Sequence, residues 1–330
     1  MNKRDLVLKV MNNEKAERVP VGFWWHFTPG TDHVYGYQEG NDIIERVLKG
    51  HEKMITEFKP DMVKIMSDGF FAHPAIVENK INKVEDLKKI EHIDKNHPWV
   101  QKQIYVINKV LEMTKGELVV IYNMFSAVQQ LRLFIEYISN DKEAYRNLMI
   151  EHTKETMEAL KIIEEDTIML LDEIKKNTNI DGIYYSVQML QHPEADEEFH
   201  KKWIVPSDLR ILNHINELWE YNMLHICGYE HYHNNVEFFK QYPCKVYNWA
   251  THTDNVSMKE GKEIFKSAVC GGFDNNSGTL IDKGSIEELK EYTKSIIEDA
   301  GREGLIIGAD CTIPGDIDFE RLNAIRDAGK

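Results

Sequence analysis

The chain has 330 residues, of which 42% are hydrophobic and 29% charged, a balance typical of a globular protein with a substantial core. Its formal net charge of −15 argues against a nucleic-acid partner and against binding to an anionic membrane surface. No apolar run reaches the roughly 18 residues of a membrane span, and nothing resembles a signal peptide, so we expect a cytoplasmic protein.

Short runs rich in β-branched and aromatic residues alternate with longer amphipathic stretches. The runs, which we predict to be strands, are Val19–Trp25, Asp61–Met66, Leu118–Phe125, Ile180–Val187, Met223–Cys227, Lys245–Trp249, Ala268–Phe273 and Leu305–Ala309. The predicted helices include Asn41–Phe58, Ala144–Lys175, Pro206–Tyr221, Ser257–Lys266 and Ser285–Ala300. No linker or repeat of 20–50 residues interrupts this order, so we expect one domain over residues 1–330.

The alternation of strands and helices predicts a parallel sheet, and eight such units favour a closed (β/α)8 TIM barrel. A doubly wound open sheet is the alternative. It has little support, because no predicted strand is followed by a Gly-x-Gly-x-x-Gly turn; Cys270-Gly271-Gly272 lacks the remaining spacing.

Polar and metal-binding residue types gather at the carboxyl ends of the predicted strands. Active sites of such barrels lie at these ends. The end segments are Trp24-Trp25-His26, Ser67-Asp68, Asn123-Met124-Phe125, Gln188, His225-Ile226-Cys227, His252, Asp274-Asn275 and Asp310-Cys311.

A metal site is one of two interpretations of His225-Ile226-Cys227. Residues i and i+2 of a strand point to the same face, so His225 and Cys227 would project together, and Cys311 could supply a third ligand across the barrel mouth. The alternative is that both residues only pack in the core. Of the other two cysteines, Cys244 precedes a strand and Cys270 lies inside one, and we expect both to be structural.

Several stretches of the chain resemble the uroporphyrinogen decarboxylase superfamily of (β/α)8 barrels. They are "HICG", "VYNWATHTDNVSMKEGKEIF", "VCGGFDN" with the later "GSIEELK", and "GLIIGADCTIPGDIDFERLNAIRDA". The true decarboxylases of this superfamily have an arginine-rich Arg-Gln-Ala-Gly-Arg stretch after the first strand, which binds substrate carboxylates. This chain has "GFWWHFTPG" there, without arginine, so decarboxylation of a tetra-acidic porphyrinogen is not expected.

A second branch of the superfamily contains the corrinoid-dependent methyltransferases, including methylcobalamin:coenzyme M methyltransferases. Their zinc signature, His-x-Cys and a distant Cys, falls on His225, Cys227 and Cys311. The resemblance implies a zinc-activated acceptor, with cobalamin or a separate corrinoid protein carrying the methyl group and a small thiol or similar molecule accepting it. A lyase acting on a carboxylated tetrapyrrole is the alternative, and a non-enzymatic metal-binding accessory protein is a third.

Six further residues complete the predicted site. His26, His252 and Asp254 are candidates for catalysis, while Trp25, Asp274 and Asn275 are candidates for contact with the corrinoid or substrate. Glu230 and His231 compete with His252 and Asp254 for a place beside the metal, because a histidine ligand usually donates its other ring nitrogen to a neighbouring acceptor. For all of these, an ordinary solvated loop or core position is the competing interpretation.

Overall fold

Eight parallel strands carry the fold of this computed structural model, which describes residues 1–30, 32–228 and 233–330. The strands are β1 (Val21–Gly22), β2 (Met62–Ile65), β3 (Val119–Phe125), β4 (Gly182–Val187), β5 (Met223–Ile226), β6 (Val246–Trp249), β7 (Ala268–Phe273) and β8 (Leu305–Ala309). Each strand pairs in parallel with the next from β2 to β8, and β8 pairs with β1, where Val21 lies opposite Ile307. β1 also lies beside β2, so the sheet is a nearly closed (β/α)8 TIM barrel, which confirms the predicted fold.

Helices surround the barrel. They are α1 (Lys3–Met11), α2 (Asp32–Tyr35), α3 (Asn41–Lys53), α4 (Pro74–Glu78), α5 (Pro98–Thr114), α6 (Ala127–Phe134), α7 (Lys142–Glu151), α8 (Thr153–Asn177), α9 (Glu197–Phe199), α10 (Val205–Leu218), α11 (Met258–Phe265), α12 (Leu280–Lys283), α13 (Ile286–Ala300) and α14 (Phe319–Ala328). Short 3-10 segments lie at Gly36–Glu39, Val84–Lys89 and Val236–Gln241, and π-helical turns at Met54–Phe58, Ile135–Ser139 and His200–Ile204. Within the described part of the chain, no helix is both long enough and apolar enough to cross a bilayer.

Local sequence explains where α13 begins. α13 starts with a capping box, in which the Ser285 side chain accepts from the Glu288 amide and the Glu288 side chain accepts from the Ser285 amide. The buried side of α13 includes Leu289 and Ile296, at the spacing of one helix face. The capping signal and the apolar spacing agree, so this helix was predicted to within one residue.

Two predicted elements differ from the structure. β1 covers only Val21–Gly22 of the predicted run from residue 19 to 25. It begins after Pro20, which has no amide hydrogen to donate to the ladder. The predicted helix Ala144–Lys175 is divided at His152, whose backbone is not helical. The Thr153 hydroxyl donates to the carbonyls of Met149 (2.6 Å) and Ile150 (3.1 Å). These carbonyls, in the last turn of α7, thus have a hydrogen-bond donor where the helix ends.

A buried carboxyl group makes the stability of the fold depend on pH. Asp208 on α10 is 2% exposed, and its Oδ2 accepts a 3.0 Å hydrogen bond from the Tyr242 hydroxyl. Burial raises the pKa of Asp208 to about 7, whereas the unfolded chain has the ordinary value of about 3.9. Because the folded state favours the protonated form, the stability of the protein falls as the pH rises from about 4 to about 7.

We therefore expect Asp208→Asn to raise the free energy of unfolding by roughly 2–4 kcal/mol at pH 8 and by clearly less at pH 5. Urea unfolding at the two pH values measures the difference. Glu291→Gln, on the exposed side of α13, is the control and should change little at either pH. An equal gain for Asp208→Asn at both pH values would contradict this account.

Candidate metal centre

β5 places His225 inside the barrel, and the chain leaves the strand at Cys227. His225 is 2% exposed and lies opposite Asn248 of β6 in the parallel register. The Cys227 amide still donates to the Val187 carbonyl at 2.9 Å, so the ladder extends one bond beyond the strand and holds the cysteine backbone. Glycine is required at position 228, because a Cβ there would lie 2.3 Å from the Cβ of Ala250.

β8 brings Cys311 to the same end of the barrel. Its neighbour Asp310 is 2% exposed and continues the ladder by donating its amide to the Phe273 carbonyl at 2.8 Å. The Asp310 carboxylate accepts from the Thr251 hydroxyl and from the His252 amide, the latter at 2.9 Å. These hydrogen bonds connect the loop after β6 to the end of β8, and they fix the backbone next to Cys311.

His225, Cys227 and Cys311 come together at the barrel mouth. Their ligand atoms all lie within 4.8 Å of one another, and among the residues that the structure describes they are the one group of three or more His, Cys, Asp or Glu that could hold a metal ion. Cys311 Sγ lies 3.5 Å from His225 Nε2. Two ligands bound tetrahedrally to zinc by ordinary Zn–S and Zn–N bonds would have their atoms about 3.6 Å apart, so the donor set fits zinc in chemistry and in this spacing.

Asn248 determines which ring nitrogen of His225 can bind a metal. Asn248 Nδ2 donates to the carbonyls of Cys270 (2.8 Å) and Ala309 (3.1 Å), and carbonyls only accept, so its Oδ1 must face the other way. That oxygen accepts from the Tyr184 hydroxyl at 2.8 Å and from His225 Nδ1 at 2.5 Å. The Nδ1 atom therefore carries the hydrogen, and Nε2 presents its lone pair beside Cys311.

The electrostatics around His225, Cys227 and Cys311 favour a thiolate at Cys311. A hydrogen bond from the Cys227 thiol to Cys311 raises the pKa of Cys227 and lowers that of Cys311. Lys64 of β2 is 4% exposed, and its ammonium lies 3.8 Å from the ring centre of Tyr184, which in turn stacks on the His225 ring. Burial lowers the pKa of Lys64 to about 8, and the negative charge of Cys311 opposes this shift. A buried cation and a half-buried thiolate thus lie in one neighbourhood.

A cavity of about 440 Å³ opens above the two cysteines. The described residues that line it are Arg132, Glu136, Tyr137, Asn140, Lys142, Cys227, Gly228, Ala250, Thr253, Asn275, Asn276 and Cys311. The Arg132 guanidinium is hydrogen-bonded to Glu136 (3.0 Å) and to Gln129 (2.8 Å), so its charge is partly compensated within the wall. The cavity can therefore hold a small polar molecule directly over the sulfur atoms.

The cavity includes only one of the six further candidates. Asn275 lines it and donates to the Thr312 carbonyl at 3.1 Å. Asp274, beside it, is instead engaged with Asn276, whose amide donates to its carboxylate at 3.0 Å. His252 lines a separate cavity with Tyr292, where Nδ1 lies 2.9 Å from Asp310, a contact that raises its pKa.

His26 and Trp25 also lie away from the sulfur atoms, against a third cavity. His26 Nδ1 is 2.8 Å from Asp68 Oδ1, and the ring stacks on His33. Trp25 is 5% exposed and packs on Phe319 of α14. The tandem tryptophans, which follow β1, separate: Trp24 packs on Tyr184 in the barrel, whereas Trp25 faces the helices.

Asp254 supports the loop that follows Cys227. Its Oδ1 accepts from the Asn234 amide at 2.7 Å, and the Asn234 side chain donates to the Cys227 carbonyl at 2.9 Å. Burial raises the pKa of Asp254 to about 6, against the opposing effect of the Asn234 amide. Asp254 thus reaches the cysteine only through Asn234. Glu230 and His231 lie outside the described residues.

Sequence reasoning missed Asn248, Lys64 and Tyr184 as neighbours of the cluster. A signal for the first two was present, because each is a lone amide or charged residue inside an apolar predicted strand. Such a residue, once buried, needs a partner or a function. Tyr184 gave no such signal, since tyrosine is a common strand residue.

Comparisons with known proteins place this site in a family. Two solved structures align over most of the chain at low identity. A methyltransferase from Methanosarcina mazei has a TM-score of 0.68 and 15% identity, covering 99% of this chain and 98% of its own. A B12-independent methionine synthase from Shewanella sp. W3-18-1, in complex with selenomethionine, has a TM-score of 0.53 and 11% identity, covering 88% of both chains.

No functionally curated protein matches the chain at a significant level. At such identities the two structures establish the fold alone. The family assignment comes from the sequence, because a model of the uroporphyrinogen decarboxylase family matches residues 63–330, which include the strands that carry His225, Cys227 and Cys311. The chain therefore belongs to the uroporphyrinogen decarboxylase family.

Proposed function

We propose that this protein is a zinc-dependent methyltransferase that moves a methyl group between a corrinoid and a thiol. The observation that carries the proposal is the convergence of His225, Cys227 and Cys311 under an open cavity at the barrel mouth. Three protein ligands leave one coordination position for a substrate, as in catalytic zinc sites. When bound, zinc supplies a positive charge that keeps a thiol ligand deprotonated at neutral pH.

The protein's own residues would hold the ligands and orient the acceptor. Asn248 keeps the hydrogen of His225 on Nδ1, and Asp310 braces the backbone that carries Cys311. In the transfer, the electron pair of the acceptor thiolate forms the new S–C bond. The methyl–cobalt bond of the corrinoid breaks, and its electron pair stays on cobalt. The corrinoid is a co-substrate, presented by a separate protein or as free cobalamin.

The comparisons support transfer of a methyl group, since the two structural neighbours are named as a methyltransferase and a methionine synthase. The name of the second neighbour describes it as B12-independent, so the donor must be tested and not assumed. The family name favours the alternative, decarboxylation of a porphyrinogen. The cavity argues against it: of the described residues that line it, only Arg132 and Lys142 are basic, and Arg132 is paired with Glu136.

The test is methyl transfer by the purified, zinc-loaded protein. Methylcobalamin and methyltetrahydrofolate serve as donors, coenzyme M and homocysteine as acceptors, and the methylated product is measured by mass spectrometry. We expect turnover with methylcobalamin and at least one thiol, its loss on removal of zinc with a chelator, and its recovery when zinc is returned.

Uroporphyrinogen, assayed for released carbon dioxide, provides the opposing outcome. We expect none, because the segment after β1 has no arginine to bind the substrate carboxylates. Decarboxylation at about 1 per second or faster, an ordinary enzymatic rate, would overturn the proposal in favour of a lyase. Transfer from methyltetrahydrofolate but not from methylcobalamin would contradict the corrinoid part alone.

A further inference from the structure

Lys64 is a buried cation that forms no ion pair with any residue the structure describes. Its side chain leaves β2 toward the barrel interior and is 4% exposed. Within the described part of the chain, the contacts of its ammonium are aromatic faces: the Tyr184 ring at 3.8 Å and the Trp24 ring at 5.0 Å. Neither a hydrogen bond nor an ion pair of this ammonium with a described residue is present.

The acidic groups that act on the charge of Lys64 indicate which anion it can compensate. Cys311, Asp68, Cys227 and Cys270 are the acidic groups that act on its charge, and Tyr184, whose ring lies 3.8 Å from its ammonium, stacks on the His225 ring of the cluster. Asp68 is already occupied, because its carboxylate accepts from the Phe27 amide at 2.7 Å and lies 2.8 Å from His26 Nδ1. The anions that remain for Lys64 are therefore at the sulfur cluster.

The charge of that cluster depends on what is bound to it. Zinc with two protein thiolates and a neutral imidazole has a net charge of zero. An acceptor that adds its own thiolate makes the centre negative by one unit, and methylation of that sulfur returns it to zero. A buried charge needs a compensating charge, so Lys64 is compensated only while the acceptor is bound as an anion.

We propose that Lys64 is the counter-charge for the acceptor, favouring a substrate that binds as an anionic thiolate over the methylated, neutral thioether. This inference rests on the proposed function and deepens it, since it specifies the form in which the acceptor binds. It also gives a reason for product release: methyl transfer removes the negative charge that Lys64 compensates. Lys64 acts through the field at the metal centre and is a positioning residue.

The test compares Lys64→Met, which removes the charge, with Lys64→Arg, which keeps it. Lys262→Met is the matched control, because Lys262 is a partly buried lysine on the outer helix α11 whose ammonium donates to the Ala300 carbonyl of α13 at 2.8 Å. The probes are 2-mercaptoethanol and its S-methyl thioether. Calorimetry on zinc-loaded protein gives the affinities, and cobalt(II)-substituted protein reports thiolate binding by its absorption spectrum.

We expect Lys64→Met to keep its zinc and its thioether affinity, and to bind 2-mercaptoethanol about tenfold more weakly at neutral pH, as loss of a nearby charge in protein surroundings implies. Lys64→Arg should stay within about threefold of the original protein, and Lys262→Met should be unchanged. The fold should persist, since methionine has an unbranched side chain of similar length and its introduction removes a buried charge that has no ion-pair partner among the described residues.

Several outcomes would overturn the proposal. If Lys64→Met bound 2-mercaptoethanol with unchanged affinity, the role of Lys64 as a counter-charge would be wrong, while the proposed function would still stand. Equal weakening of thiol and thioether binding would indicate a packing role. Loss of zinc from Lys64→Met but not from Lys64→Arg would mean that the charge acts before the acceptor binds. If the zinc-loaded original protein takes no thiol at all, the proposed function fails as well.

Discussion

Cys227→Ala and Cys311→Ala should each lose nearly all of the bound metal, whereas the original protein should carry about one zinc per chain. Each substitution leaves two of the three ligands that lie within 4.8 Å of one another. Two protein ligands do not make a zinc site of the usual kind, which needs three or four. Atomic emission analysis after dialysis against a weak chelator gives the metal content directly.

Cys244→Ala and Cys270→Ala are the matched controls. Both cysteines lie outside the cluster. Burial raises the pKa of each thiol to about 12, so both thiols are protonated at neutral pH. Cys270 is fully buried in β7, and its replacement should cost about 1 kcal/mol of stability through the small cavity it leaves, with no loss of zinc.

The assignment of the metal site would be wrong if both the Cys227 and the Cys311 variants kept full metal content. Loss of metal from all four cysteine variants would point instead to general unfolding. Circular dichroism of each variant separates these two outcomes, because loss of one ligand should leave the helical content of the barrel unchanged.

The fold of this chain was predictable because its signals are local. Each strand lies within a short, largely apolar predicted run, and helices such as α13 carry both a cap and an apolar face. The cluster was predictable for a related reason: His225 and Cys227 are two apart on one strand, and parallel strands bring their carboxyl ends to one side of the barrel.

The membership of the cavity was not predictable, because it depends on geometry between elements. His26 and His252 follow predicted strands and His225 lies near the end of one, yet they line or underlie different cavities, since the direction of each side chain depends on where the chain leaves its strand. His252 turns toward Asp310, and His26 toward Asp68. Sequence pattern places residues at the mouth but does not determine which neighbour each one meets.

Asn248 shows a second limit of sequence reasoning, and its replacement should weaken the binding of zinc. Replacing it by alanine removes the acceptor of the His225 Nδ1 hydrogen and also two donations to the carbonyls of Cys270 and Ala309. His225 could then carry its hydrogen on either nitrogen and rotate. Loss of such an outer partner typically lowers metal affinity 10- to 100-fold.

The matched control is Asn222→Ala, at the amino-terminal end of β5 and therefore at the opposite end of the barrel. Asn222 is also fully buried and hydrogen-bonded on both sides of its amide, accepting from Ile183 at 2.9 Å and donating to Trp219 at 2.6 Å. Both variants should lose stability, roughly 1–3 kcal/mol for each buried group left unsatisfied. Only Asn248→Ala should weaken zinc binding, as measured by competition with a chelator. Equal zinc affinity in the two variants would show that Asn248 contributes to folding alone, and that the position of His225 does not depend on its partner.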